Sequence, residues 1–288
     1  MAGDGRIGRG STDVVWLHGN GNWYPHANSS LLEMSRTERP KVICRHTEPL
    51  PLPESSGIRP PFPTLAELVK IAIGDARATD PRTNARHISR MWRHGIPDLL
   101  IVSTTSRKSY LAERGIDAHF VPAAYSPAQG RDLGLKRDIP ALFIGIMSDP
   151  RHRSAVRYLR KRGIEVAAHG DWKKEAGLWG DRRTEMINRA KTFLALQRNP
   201  RELSGVRMIL GMANKALVIS EPIHQPDPFV PGTHYVSAPL TEMADVIRYY
   251  NDNEDEARRI ADAGHHLVTT ELTFEKQMKQ ILDIAGLA

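Results

Sequence analysis

Short apolar runs recur along the chain, each bounded by Gly, Pro or polar clusters, and most are followed by a segment whose apolar residues repeat every three to four positions. That alternation is the signature of stacked β-α units and sets aside a purely structural or fibrous chain. In the first half it predicts strands at 14–18, 42–45, 99–103 and 119–122, with helices at 65–73, 84–94 and 106–114. The second half is expected to place strands at 141–145, 165–169, 193–197, 216–220 and 234–237. Its helices are expected at 152–162, 183–190, 203–214, 241–250 (capped by Thr241), 253–269 and 274–287.

Two segments break the pattern. Residues 48–63 (EPLPLPESSGIRPPFP) are too rich in proline for regular structure. Residues 126–140 (SPAQGRDLGLKRDIP) are polar and read as a linker. The expected fold class is α/β, two Rossmann-type doubly wound domains with a cleft between them. Residues 1–130 are expected to form a short, irregular first domain and 137–272 a second Rossmann-like domain, with 273–288 a helix packing back on the first. A ligand belongs in the crevice at the carboxyl ends of the strands.

Composition narrows the partners. The hydrophobic fraction of 40% supports a buried core. Cys44 is the only cysteine, so neither an intrachain disulfide nor a cysteine-based zinc site can form. No run approaches the roughly 20 apolar residues of a membrane span, and residues 1–13 lack the apolar core of a secretory signal. A cytoplasmic protein is the expectation. Arginine supplies 29 of the 40 basic residues behind the net charge of +7. Residues 151–162 (RHRSAVRYLRKR) hold six Arg or Lys, a patch suited to nucleotide phosphates or nucleic acid. No recognised nucleic-acid motif accompanies it.

Several loops after strands carry candidate chemistry. Residues 145–153 (GIMSDPRHR) form a strand-to-helix loop whose free N–H groups are expected to point into the crevice, with Gly145, Ser148, Arg151 and Arg153 nearby. From Arg198 and Asn199 to Ser204, Gly205 and Arg207, a strand end leads to a helix start, a natural cradle for a diphosphate. Glu221 ends the following strand, and the loop after it holds His224 and Asp227. In the first half, HGNGNW (18–23) brings His18 and Asn20 to a strand end, and RHTEP (45–49) brings His46 and Glu48. His18, His46 and Glu48 are candidate catalytic residues at these strand ends, the last two as general base. No histidine pair has the spacing of a helical zinc site.

The order of elements over residues 140–275, through RHRSAVRYLRKRGIEVAAHGDW, TFLALQRNPRELSGVRMILGMANKALVISE and PFVPGTHYVSAPLTEMADVIRYYNDNEDEARRIADAGHHLV, resembles the C-terminal domain of GT-B glycosyltransferases. Its nearest likeness is to the spore-maturation, CgeB-like group. The resemblance implies sugar transfer from a UDP- or GDP-type donor to an unidentified acceptor (protein, glycan or modified nucleic acid), without a cofactor or metal. The absence of D-x-D from the chain agrees with this. It also implies that Gly170, Asp171 and Trp172 lie against the base or ribose and that Ser204 and Arg207 form the family's S-x-x-R. Glu221 matches its V-S-E ending. Where relatives carry a glutamate that grips the ribose, this chain has Leu210. The alternative is therefore a catalytically silent scaffold of the same fold that binds nucleotide or nucleic acid. An epimerase or dehydrogenase is disfavoured because no Rossmann fingerprint with its downstream acid is present.

Overall fold

The computed structural model describes residues 13–19, 24–60, 62–63, 65–73, 80–170 and 178–287. The chain divides into two units, one running to Val121 and including Leu282–Ala288, the other Pro122–Ile281.

In the first unit β1 (Val14–His18), β2 (Lys41–His46), β3 (Leu99–Val102) and β4 (His119–Phe120) form a parallel sheet in the order β1-β2-β3-β4. β3 (LLIV) is a continuous apolar run and β2 is buried from Val42 on, including its polar end Arg45 and His46, so both are covered on both faces as central parallel strands are. The helices are α1 (Pro25–Glu33), α2 (Leu65–Ala72), α3 (Pro81–Arg93) and α4 (Thr105–Ala112). Asp80 caps α3 by accepting from the Thr83 N–H, with Pro81 at its first turn; Thr104 caps α4 by accepting from Arg107. Leu31, Ile88, Met91, Tyr110 and Leu111 pack on Leu17, Val42, Cys44, Leu100 and Val102 to make the core. At the start of β2, Lys41 donates to the carbonyl of Ala285. The proline-rich segment contains one 3-10 turn, Glu54–Ser56.

The second unit has β5 (Ile139–Ile144), β6 (Val166–His169), β7 (Ala190–Ala195), β8 (Leu217–Ser220) and β9 (Val236–Ser237), all parallel, in the order β6-β5-β7-β8-β9. The order reverses between β5 and β7, which makes the crevice beyond their carboxyl ends the topological switch point. Its helices are α5 (Pro150–Lys161), α6 (Gly180–Asn188), α7 (Gly205–Ala213), α8 (Met243–Asp252) and α9 (Glu254–His266), with a π turn at Leu267–Glu271, followed by α10 (Phe274–Ala285), whose residues from Leu282 on belong to the first unit. Alternate strand residues point to opposite faces. Phe143, Leu194 and Ile219 join α5, α8 and α9, while Leu142, Phe193 and Val218 join α6 and α7.

Three expectations need correction. The unit boundary falls at Val121–Pro122, and residues 126–140 are not a free linker. Buried Asn188 accepts from the Leu133 N–H and donates to the Arg131 carbonyl, and buried Asn214 donates to Gln129, so side chains from the unit's interior satisfy the backbone of this polar stretch. Thr241 does not cap α8: the helix starts at Met243, with Glu242 at the cap position and no side-chain cap bond. Helix α1 was not expected, because its Asn and Ser residues are poor helix formers and its hydrophobic periodicity is weak. None of the described helices is long and apolar enough to cross a membrane.

Candidate functional site

The floor of the switch-point crevice is bare backbone. The Gly145 N–H, just after β5, donates to the His169 carbonyl at 2.9 Å. Gly170 follows with φ at +136°, and a Cβ there would lie 1.9 Å from the Gly145 oxygen. A Cβ on Gly145 would lie 2.4 Å from the Phe143 ring. Only glycine allows two strand ends to approach this closely.

Two helices begin at this crevice, and their positive ends differ. At α5 the carboxylate of Asp149 accepts from the N–H groups of Arg151 (2.9 Å) and His152 (3.3 Å) and pairs with Arg198 at 3.3 Å. The expected free amides of this loop are thus taken by the chain's own carboxylate. Ser148 is exposed beside them. Helix α7 begins after Ser204 with no side-chain cap and no acidic residue in its first turn. Its first turn therefore carries no carboxylate, the nearest before it in sequence being Glu202. Gly205 sits where a Cβ would come within 3.0 Å of Ala123, a packing reason for glycine.

Arg207 lies in the first turn of α7. Its Nη1 donates to the Leu196 carbonyl, and its guanidinium stands 5.5 Å above the centroid of the Phe143 ring. Burial pushes its pKa down to about 10, against the opposing pull of Asp149 and Glu202, so it stays charged at neutral pH. The neighbouring His152 is buried, its Nδ1 3.1 Å from the Ile146 carbonyl. Burial first, then Arg207, holds its pKa below the ordinary value.

Arg151 and Arg153 part company. Arg151 reaches across the switch point, donating through Nε to the Gln197 carbonyl at 2.8 Å and through Nη2 to Glu221. Arg153 is exposed and lines a separate groove with Met147, Arg157, Arg160 and Lys161. Two steps along a helix turn a side chain by about 200°.

Glu221 and Gln197 form a bracket between the ends of β8 and β7. Gln197 donates its N–H to Glu221 and its side-chain amide to the carbonyls of Glu221 (3.0 Å) and Pro222 (2.9 Å). Its Oε1 accepts from the Arg201 N–H, held at φ 59°. Glu221 therefore holds the crevice walls together, with both carboxylate oxygens engaged. Asn199 donates to Glu202 at 2.7 Å, which closes the loop before α7. Leu210 is 9% exposed and packs into the core. Asp171, Trp172 and Asn20 lie outside the described residues.

In the first unit, β1 and β2 bring His18 and Arg45 side by side in register. His18 is exposed, its pKa lowered by partial burial and by Arg45. His46 is wholly buried, and no hydrogen bond of normal geometry reaches either ring nitrogen. Burial, helped by Arg107, pushes its pKa down to about 3, against the weaker opposite effect of backbone groups at Glu48 and Gly19. A general base must touch the acceptor's proton, and His46 is closed to it. Glu48 is half-buried after the strand. Arg107 is buried and donates to Thr47 and Ser103, both at 2.9 Å. Among the described residues no group of three or more His, Cys, Asp or Glu could hold a metal ion.

Residues 151–283 match the glycosyl transferase-like family model. No curated protein matches the chain in sequence. In structure it is similar to sucrose-phosphate synthase of Thermosynechococcus elongatus at TM-score 0.66 and 12% identity, over 95% of this chain and 73% of that one. It is also similar to HepE of Anabaena in complex with UDP-glucose (TM-score 0.61, 9% identity, 96% and 79% covered). A third likeness is to a mutant of TarM from S. aureus in a complex that includes UDP (TM-score 0.63, 12% identity, 93% and 55% covered). The chain has the fold of the GT-B glycosyltransferases. Within this GT-B chain, the matched stretch runs from the start of α5 through α7 into α10 and so contains every described part of the crevice except the β5 loop.

The sequence reading missed Asp149, His152 and Gln197 in this GT-B crevice. Asp149 was legible as an Asp-Pro pair opening a helix. No local signal marks Gln197 as a tie to the next strand end, because its contacts with Glu221 and Pro222 span 24 and 25 residues.

Proposed function

We propose that the chain is a metal-independent glycosyltransferase that takes a sugar from a UDP- or GDP-linked donor and passes it to an acceptor hydroxyl. The observation that carries this reading is the uncapped start of α7 with Arg207 in its first turn, beside a sister helix whose start is filled by Asp149. In such a transfer the bond from the sugar's anomeric carbon to the diphosphate oxygen breaks, and a bond from that carbon to the acceptor oxygen forms. Negative charge grows on the leaving diphosphate and must be met by donors already in place. Among the described residues the Arg207 guanidinium has one hydrogen bond, to Leu196, leaving most of its fork for phosphate oxygens. The amides opening α7 add the helix's positive end. Arg198, across from them, contributes charge while paired with Asp149. The acceptor's proton goes to a base, for which His18 and Glu48 are the open candidates.

Leu210 favours a second reading, a scaffold of the same fold that binds nucleotide without turnover. An aliphatic side chain packed into the core offers the ribose no carboxylate. Calorimetric titration with UDP, GDP and their sugar conjugates, in EDTA, separates the readings. Selective binding together with hydrolysis or transfer of the sugar supports the enzyme. Binding with the sugar nucleotide recovered intact supports the scaffold, and no nucleotide binding at all overturns both.

A further inference from the structure

The outer face of α5 carries a row of cations that no carboxylate of the described residues pairs with. Arg153, Arg157 and Lys161 stand four residues apart, so they project from one side of the helix at intervals of about 6 Å. All three are exposed. The helix itself contains no Asp or Glu, and none of the three forms an ion pair with a described residue. Like charges at this spacing cost helix stability, so the row is not explained by the fold. With Met147 and Arg160 these residues surround a groove of about 420 Å³. On the next strip of the helix the Arg162 guanidinium lies 4.4 Å above the Tyr158 ring, a flat platform beside the row. The apolar residues of α5, Ala155, Val156 and Leu159, are buried, which leaves no apolar face to enter a bilayer.

We propose that this face of α5 binds single-stranded nucleic acid, without sequence preference. Arg153, Arg157 and Lys161 each neutralise a phosphate, the arginines through their planar forks. A base stacks on the Tyr158–Arg162 platform. The inference does not rest on the donor reading, because none of these residues lines the switch-point crevice.

The test is fluorescence anisotropy of the full chain with a labelled oligothymidine of about 20 nucleotides, a length that exceeds a typical single-strand site. Salt is varied between about 50 and 200 mM. Each phosphate contact on a single strand contributes about 0.7 to the slope of log affinity against log salt, so changing Arg153, Arg157 and Lys161 together to Gln should flatten it by about 2. Affinity at the lowest salt should fall at least tenfold. Arg153→Lys with Arg157→Lys should keep the slope, and Arg207→Ala should leave oligonucleotide binding unchanged. If the triple variant unfolds, Arg157→Gln alone should flatten the slope by about 0.7. Folded triple variant with wild-type affinity and slope overturns the proposal. So does capture of phosphatidylglycerol vesicles through these three residues by a protein that ignores the oligonucleotide.

Discussion

The backbone N–H of Gln197 donates to the Glu221 carboxylate at 2.9 Å, tying the end of β7 to the residue that follows β8. The other oxygen of that carboxylate receives Arg151 from α5, so one side chain joins three elements around the crevice. Glu221→Ala should lower stability by about 1–3 kcal/mol, because a buried N–H loses its acceptor while half-exposed Arg151 recovers water. Glu221→Gln, which keeps an oxygen for Gln197, should lose less. Urea unfolding of the three proteins checks the order.

Arg207 and Arg153 should separate cleanly. Loss of a charge-assisted hydrogen bond to a diphosphate corresponds to about a 10- to 100-fold drop in affinity, so Arg207→Ala should weaken UDP or GDP binding by that much. Arg153→Ala, on the far side of α5, should leave it unchanged. Isothermal titration at matched ionic strength gives both numbers, and equal losses in the two variants would remove Arg207 from its assigned role.

His46 makes the fold sensitive to mild acid. Its folded pKa of about 3 lies below the ordinary 6.5, so between those values the unfolded chain binds a proton that the folded chain does not. The stability His46 allows is complete above about pH 6.5 and drains away as pH falls toward 3, with a slope of up to about 1.4 kcal/mol per pH unit. His46→Gln should flatten the decline between pH 6.5 and 5, where carboxylates are still ionised. Denaturant midpoints across that range read the effect.

Gly170→Ala should be among the most damaging single substitutions in the second unit. Its backbone is left-handed, and the added Cβ would strike the Gly145 carbonyl. Gly57→Ala, also at positive φ but with nothing within 4 Å, isolates the backbone cost of about 1 kcal/mol. Thermal unfolding of the pair should show a much larger loss for Gly170→Ala.

What the sequence revealed and what it hid have separate physical causes. Buried parallel strands such as LLIV in β3 and LVIS in β8 are written in consecutive residues, so their positions were legible. The crevice was legible as a set of strand ends, because β-α alternation fixes where those ends fall. Which arginine faces it was not: Arg151 and Arg153 are neighbours in sequence but opposed on the helix. Glu221 looked available because nothing near it in sequence reveals Gln197 and Arg151 as its partners. Residues 126–140 looked like a tether because the groups that hold them, Asn188 and Asn214, arrive from α6 and the end of α7.

Lys41 and Ala285 sit 244 residues apart, and the first unit is assembled from two stretches of chain with the whole second unit between them. Domains usually mature in the order in which the ribosome delivers them. Here that order is inverted: the contiguous second unit has all its residues while the first still waits for 282–287 to be translated. The N-terminal sheet therefore gains its last native contact, Lys41 with Ala285, only after the final turn of α10 has been made.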